Sequence, residues 1–149
     1  SSEYFPSVAS GVMKDSIICQ DVQATSFDDE SFDLITSNQV MEHVPNDIAG
    51  YKECYRILRP GGIFMFTVPL YDIFETVMRA EIVSGELIHH FEPEYHNSRL
   101  DGPTVLTFWH HSRRDILKRV GLAGFKTQFI ETNSSSSQKE PYMVIVGTK

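Results

Sequence analysis

The stretch Phe32 to Pro69, FDLITSNQVMEHVPNDIAGYKECYRILRPGGIFMFTVP, decides the fold. Phe32 to Ser37 is an apolar run, and its Leu34-Ile35 pair suits a parallel strand covered on both faces. Pro45-Asn46-Asp47 opens a helix, with Asn46 or Asp47 placed to cap it. Ile48, Tyr51, Tyr55 and Leu58 recur at helical spacing and predict its buried stripe. Pro60-Gly61-Gly62 ends the helix, and Ile63 to Val68 is an apolar strand stopped by Pro69. Strand, helix, strand is one βαβ unit, the building block of a parallel sheet.

Upstream, Ser16 to Gln20 (SIICQ) reads as a buried strand, and Asp28-Asp29-Glu30 as a turn. Downstream, Tyr71 to Gly85 carries Ile73, Val77 and Ala80 on one helical face, so a helix is expected. Glu86 to Trp109 has no clean period and is rich in His, Pro and aromatic residues. An irregular stretch of that length is commonly functional or disordered. Ser112 starts a further helix, with Asp115 completing a partial capping box. Ile116, Leu117 and Val120 form its apolar face, and Gly121 suits the position just past its end. Phe125 to Glu131 alternates apolar and polar, Thr132 to Glu140 is a polar loop, and Tyr142 to Thr148 closes as a strand. Their short connection makes these last two strands an antiparallel pair. The expected fold class is α/β: a mainly parallel sheet with an antiparallel C-terminal strand pair, in one domain over residues 1–149.

The 149 residues suit a single domain, and an apolar fraction of 41% supplies a core. The net charge of -7 weighs against nucleic acid as a partner, since phosphate binding wants clustered Lys and Arg. The one basic cluster, Arg113-Arg114 with Lys118-Arg119, reads as the solvated face of a helix. Cys19 and Cys54 lack CxxC spacing and read as buried free thiols. No run approaches the roughly 18 apolar residues of a membrane span. The start, SSEYFPS, has no basic segment of a signal peptide, so a cytoplasmic protein is expected.

Ligands of such a sheet bind at the carboxyl ends of its strands. The groups there are Asp21-Val22-Gln23, Ser37-Asn38-Gln39 and Pro69-Leu70-Tyr71. Periodicity does not choose the ligand. The motifs do. QDVQATSFDDESFDLITSNQVMEHV resembles class I S-adenosylmethionine-dependent methyltransferases of the type 11-like branch. It has their acid after strand 3, their Phe-Asp pair and the Ser-Phe-Asp that opens strand 4. RILRPGGIFMFTVP resembles the family's helix and strand 5, and AGFKT the entry to strand 6. The likeness covers most of the chain outside 70–110.

This resemblance implies a partial Rossmann-like sheet, S-adenosylmethionine as cofactor, and methyl transfer to a small-molecule or glycan-like acceptor. It implies that Asp21 lies near the adenine amino group, with Val22 and Gln23 lining the ring. Asn38 and Gln39 would stand at the methionine moiety, and Glu3 at the ribose hydroxyls. The residues themselves leave other roles open: a turn or cap for Asp21, an Asn-stabilised turn for Asn38, and a frayed terminus for Glu3.

The family's glycine-rich turn, its strand 1 and nearly all of its strand 2 have no counterpart in these residues. The chain therefore reads as an N-terminally truncated domain that begins at the end of strand 2. In the family, strands 1 and 2 lie between strands 3 and 4. Segment 16–20 is accordingly expected to pair directly beside 32–37 or with another chain, the latter giving a homodimer through an unpaired sheet edge.

Residues 70–110 are implied to cover the substrate, and His89, His90, Glu94, Tyr95, His96, Trp109 and His110 fall there, with His111 just beyond. Methyl transfer needs alignment and a deprotonated acceptor, hence orientation and a general base. His43 and His96 are the candidates, a Glu of the insert is left open, and the alternative is that each His bonds its own loop. Imidazoles and a carboxylate also suit zinc. The spacings match no helical HxxxH, and adjacent His pairs point apart on a strand, so no metal is expected. Two competing functions remain: a non-catalytic binding or assembly module that keeps the half-sheet, and a metal-dependent hydrolase centred on the His-rich insert.

Overall fold

A computed structural model describes residues 2–5, 7–96, 105–132 and 142–149, without the side chains of Thr132 and Tyr142. The expected polar loop lies outside these residues except for Thr132.

The chain begins with a small sheet of β1 (Ser2–Glu3), β2 (Met13–Lys14) and β3 (Ile17–Cys19). β1 runs parallel to β3, with Glu3 opposite Cys19, and β2 runs antiparallel to it. Next come β4 (Phe32–Asn38), a 3-10 turn at Met41–His43, α1 (Asp47–Ile57) and β5 (Leu58–Thr67). β4 and β5 pair in parallel, so the βαβ unit forms as its sequence dictates. Asn46 caps α1 by accepting the Ala49 N–H at 3.1 Å. The joint between helix and strand differs from expectation, because β5 starts at Leu58 and takes Pro60-Gly61-Gly62 into itself. Gly61 turns with φ +79° and donates to the Lys149 carbonyl at 3.0 Å, while Lys149 donates to Gly62 at 3.0 Å. The last residue of the chain thus stitches that turn into the sheet.

The segment expected to be a helix over 71–85 is built from strands. β6 (Leu70–Tyr71), β7 (Val77–Met78), β8 (Ala80–Val83) and β9 (Glu86–His89) occupy it, followed by β10 (Tyr95–His96), β11 (Val105–Leu106) and β12 (Trp109–Ser112). β8 and β9 form a hairpin through Ser84-Gly85, whose φ values are +53° and +85°. Positive φ at both turn residues matches the twist of the flanking strands. That Ser-Gly turn, with the β-branched Ile82-Val83 before it, outweighs the helical spacing of Ile73, Val77 and Ala80.

α2 (Ile116–Gly121), β13 (Lys126–Thr132) and β14 (Tyr142–Thr148) complete the chain. Asp115 stands at the N-cap of α2 but does not cap it. Its carboxylate accepts from the Thr76 amide at 2.7 Å and hydroxyl at 2.6 Å, tying the helix to the insert. Gly121 is the last helical residue, and the left-handed glycine is Gly124, with φ +107°.

The main sheet has the order β13-β14-β5-β4, with β13 and β14 antiparallel as expected and β14 antiparallel to β5. Among the described residues, parallel pairing joins only β4 to β5, β1 to β3 and β6 to β12. The sheets are therefore mixed rather than mainly parallel. Segment 16–20 does not lie beside β4, because β1 and β2 fill both edges of β3 within the chain.

One face of the main sheet carries the core. Tyr51 and Cys54 of α1, Phe64 and Phe66 of β5, Ile116 and Val120 of α2, Phe125 and Ile145 interlock there. The other face is open, with Leu34 at 54% and Ile130 at 41% exposure. The double cover read from Leu34-Ile35 is thus not present among the described residues. Cys19 and Cys54 are buried free thiols, as expected. Arg113 and Arg114 are solvent-facing, but Arg119 departs from the solvated-face reading. It binds the fully buried Asp47 carboxylate with two hydrogen bonds, at 2.6 and 2.7 Å, and lies over the Trp109 ring.

Candidate functional site

The pairing of β1 with β3 brings two implied cofactor residues together. Glu3 is opposite Cys19, and the Gln20 amide donates to the Glu3 carbonyl at 2.8 Å. Glu3 and the Asp21-Val22-Gln23 loop therefore leave neighbouring parallel strands side by side. Asp21 Oδ1 accepts from the Gln23 amide at 2.9 Å and from its side chain at 3.1 Å. Gln23 Oε1 in turn accepts the Asn46 N–H at 3.0 Å, which anchors the loop to the start of α1. Val22 packs partly against the core.

Asn38 and Gln39 stand at the carboxyl end of β4, in the parallel pair of β4 and β5. The Thr67 hydroxyl donates to Asn38 Oδ1, and the Gln39 amide donates to the Thr67 carbonyl at 2.9 Å. Gln39 has φ +54°, so the chain reverses sharply as it leaves β4.

That reversal leads directly into the 3-10 turn that carries Glu42 and His43. β10 and β11 of the insert pack over it, and the sequence-predicted His43 and His96 come together. Their rings meet edge to face with centroids 5.0 Å apart. His43 Nδ1 lies 2.8 Å from the Leu106 carbonyl. Between the two imidazoles sits Glu42, which is 1% exposed and has no hydrogen-bond partner on either carboxylate oxygen. Its Oε1 is 3.7 Å from His43 Nε2 and 3.9 Å from His96 Nδ1. Burial raises the Glu42 pKa to about 7. Burial also lowers that of His43, helped by His96 and opposed by the Leu106 carbonyl.

A second carboxylate supports the first group. Glu94 Oε1 is 3.3 Å from His96 Nε2, and its Oε2 is 2.8 Å from His110 Nε2. His110 stacks on Tyr71 at 4.0 Å. Burial works against the charge on Glu94, but His110, His96 and Arg79 outweigh it and hold its pKa below the ordinary carboxylate range. Glu94 lies in the insert, where a His or Glu was expected to serve as base, whereas Glu42 was not singled out as a site residue. The adjacency Glu42-His43 was the available signal, and His96 lies 53 positions beyond His43.

A separate open cleft of about 540 Å³ is lined by Gln23, Asn46, Asp47, Met78, Ile82 and Trp109 among others, and it does not include Glu42, His43 or His96. Among the described residues no helix is long and apolar enough to cross a membrane.

Comparison with known proteins fits this layout. Residues 3–66 match the family model described as a methyltransferase domain. The chain is 29% identical over 96 residues to the ubiquinone biosynthesis O-methyltransferase of Coxiella burnetii, covering 63% of this chain and 40% of that protein. It thus spans well under half the length of that relative. Among solved structures, an S-adenosylmethionine-dependent methyltransferase from Mesorhizobium loti superposes with a TM-score of 0.60 at 16% identity, covering 90% of this chain and 69% of that one. The 1,6-didemethyltoxoflavin-N1-methyltransferase of Burkholderia thailandensis, solved with S-adenosylhomocysteine, gives 0.58 at 14%, covering 89% and 50%. At such identities these two structures speak for the fold alone.

Residues 3–66 thus match a methyltransferase domain, and the chain is similar to S-adenosylmethionine-dependent methyltransferases in sequence and in fold. The donor set fits the cofactor that this likeness implies. Two acids on adjacent parallel strands suit ribose hydroxyls and an exocyclic amine, and amides with a hydroxyl suit an amino-acid moiety.

Proposed function

We propose that the whole protein transfers a methyl group from S-adenosylmethionine to a hydroxyl of a small molecule. One observation carries this reading. The strand ends that would hold the cofactor run straight, through the sharp turn at Gln39, into a half-buried Glu42–His43–His96 centre against the insert. The oxygen acceptor rests on the named activity of the Coxiella burnetii relative. Glycan hydroxyls would be met by the same chemistry.

Glu3 would hold the ribose, Asp21 the adenine amine with Val22 and Gln23 alongside, and Asn38 with Gln39 the methionine portion. When bound, the cofactor supplies an activated methyl on a sulfonium. The chain then has to place the acceptor oxygen in line and relieve it of its proton. His43 is suited to receive that proton. The Leu106 carbonyl can only accept, so Nδ1 carries the ring hydrogen and Nε2 is bare. The low His43 pKa keeps the ring neutral and able to act as a base near neutral pH. β10, β11 and the hairpin of β8 and β9 would cover the acceptor and limit water.

The test is transfer of a labelled methyl from S-adenosylmethionine by the intact protein to a panel of phenols, aliphatic alcohols and monosaccharides. Transfer to a small hydroxylated molecule, with kcat lowered at least tenfold by His43→Ala and cofactor affinity kept, is expected. No transfer to any acceptor despite cofactor binding would favour the non-catalytic module.

A further inference from the structure

We propose that Glu42, His43 and His96 form a binding site for a divalent transition-metal ion with the preferences of zinc. One ligand atom from each lies within 4.8 Å of the others.

The proton positions make the case. The Leu106 carbonyl, 2.8 Å from His43 Nδ1, can only accept, so the neutral ring presents a bare Nε2 to Glu42. Glu94 does the same for His96. Its carboxylate, 3.3 Å from Nε2, takes the ring hydrogen and leaves Nδ1 bare toward Glu42. Three lone-pair donors therefore converge with no hydrogen between them. Their separations of 3.7 and 3.9 Å exceed any hydrogen bond. A small contraction would seat a cation at metal–ligand distances of roughly 2.0–2.2 Å.

The state of Glu42 is an independent pointer. Its side chain is 1% exposed and its two oxygens are unpartnered, although a buried charge without a partner costs several kcal/mol. A cation satisfies both oxygens and both nitrogens at once. The surroundings are those of a metal site rather than a chance gathering. Each imidazole is oriented through its far nitrogen by an oxygen, and Glu94 is itself held by His110 at 2.8 Å. The Phe108 amide fixes the Glu42 main chain at 2.8 Å, and the Thr107 amide fixes that of Glu94 at 2.8 Å.

Two imidazoles and one carboxylate suit zinc or cobalt, whereas magnesium and calcium prefer oxygen sets. Three protein ligands leave a coordination position open, as catalytic sites do. The acceptor hydroxyl would take that position. With the ion bound, coordination would lower the pKa of that hydroxyl and its proton would pass to solvent, while His43 Nε2 receives the proton only in the metal-free protein. This use rests on the methyl-transfer reading, but the existence of the site does not.

The experiment is titration of chelator-stripped intact protein with zinc chloride, followed by calorimetry and metal analysis, with cobalt(II) as an optical probe. One ion per chain is expected, together with visible cobalt bands. The near-isosteric Glu42→Gln, and His96→Ala, should weaken binding at least tenfold with the far-UV circular dichroism unchanged. Glu94→Gln, which touches no ligand position, should weaken it 10-fold or more while leaving the stoichiometry at one. Absence of saturable binding overturns the site. So does binding that survives Glu42→Gln and His96→Ala but is lost in the His89→Ala/His90→Ala pair. Neither result bears on cofactor binding, which is measured without metal.

Discussion

Arg119 of α2 grips the buried carboxylate of Asp47 at the start of α1 with two hydrogen bonds, at 2.6 and 2.7 Å. The guanidinium also covers the Trp109 ring, and the Trp109 indole donates to the Val44 carbonyl at 2.8 Å. Two helices and the last strand of the insert are thereby locked just behind the turn that carries Glu42 and His43.

Removing one partner strands a buried charge. Arg119→Ala is expected to cost about 3–5 kcal/mol, and Asp47→Ala a comparable amount. The double variant Asp47→Leu/Arg119→Met should lose less than either single change. Urea unfolding of the three variants measures this, and strictly additive losses would count against a coupled pair.

His111 predicts an acid weakness. It is fully buried. Burial pushes its pKa down to about 4, while the Asp47 and Asp115 carboxylates pull the other way and Arg119 adds to the depression. The folded chain thus resists a proton that the unfolded chain accepts below about pH 6.5. Stability should fall as the pH drops from about 6.5 to about 4 and then level off, by about 3 kcal/mol from this group. A pH series of unfolding curves for His111→Leu should be flatter by that amount. Parallel curves for variant and parent would refute the assignment.

Two glycines should resist alanine for different reasons. A Cβ at Gly147 would lie 2.9 Å from the Phe125 ring, in a packed core, so Gly147→Ala should cost about 1–3 kcal/mol. A Cβ at Gly61 meets nothing, and only its φ of +79° resists, so about 1 kcal/mol is expected there. Chemical denaturation of the two variants ranks them.

Glu42 is placed at a cost to stability. Glu42→Met removes a buried, unpartnered carboxylate, so without divalent metal its melting temperature should rise by a few degrees. With zinc present at 100 times its dissociation constant, the parent should gain about 2.7 kcal/mol and the variant nothing. Differential scanning calorimetry with and without zinc reads both effects.

The sequence carried the β4–α1–β5 unit because its signals are local: an Asn cap, a periodic stripe and a fully apolar strand. It misread 71–85 because three apolar residues at helical spacing looked stronger than one Ser-Gly pair, whose meaning appears only when both strands of the hairpin are seen. The placement of Glu3 beside the Asp21 loop was not legible, because the absent strands 1 and 2 sent segment 16–20 to β4 or to another chain, whereas the two residues of β1 pair with β3. The convergence of His96 on Glu42 and His43 was not legible either. Linear spacing describes metal and base sites well on a single helix, and here the three groups come from a turn and a strand brought together by tertiary packing. Arg119 misled for a similar reason. A basic residue beside three others reads as solvated until its buried partner, 72 residues away, is known.

The most direct test of the account is equilibrium binding of S-adenosylhomocysteine to the intact protein by calorimetry, in the parent and in Asp21→Ala and Asn38→Ala. One site per chain is predicted, weakened about tenfold or more by each substitution, as loss of a charged or buried hydrogen bond implies. Absence of binding, or equal affinity in all three proteins, would contradict a cofactor held at these strand ends.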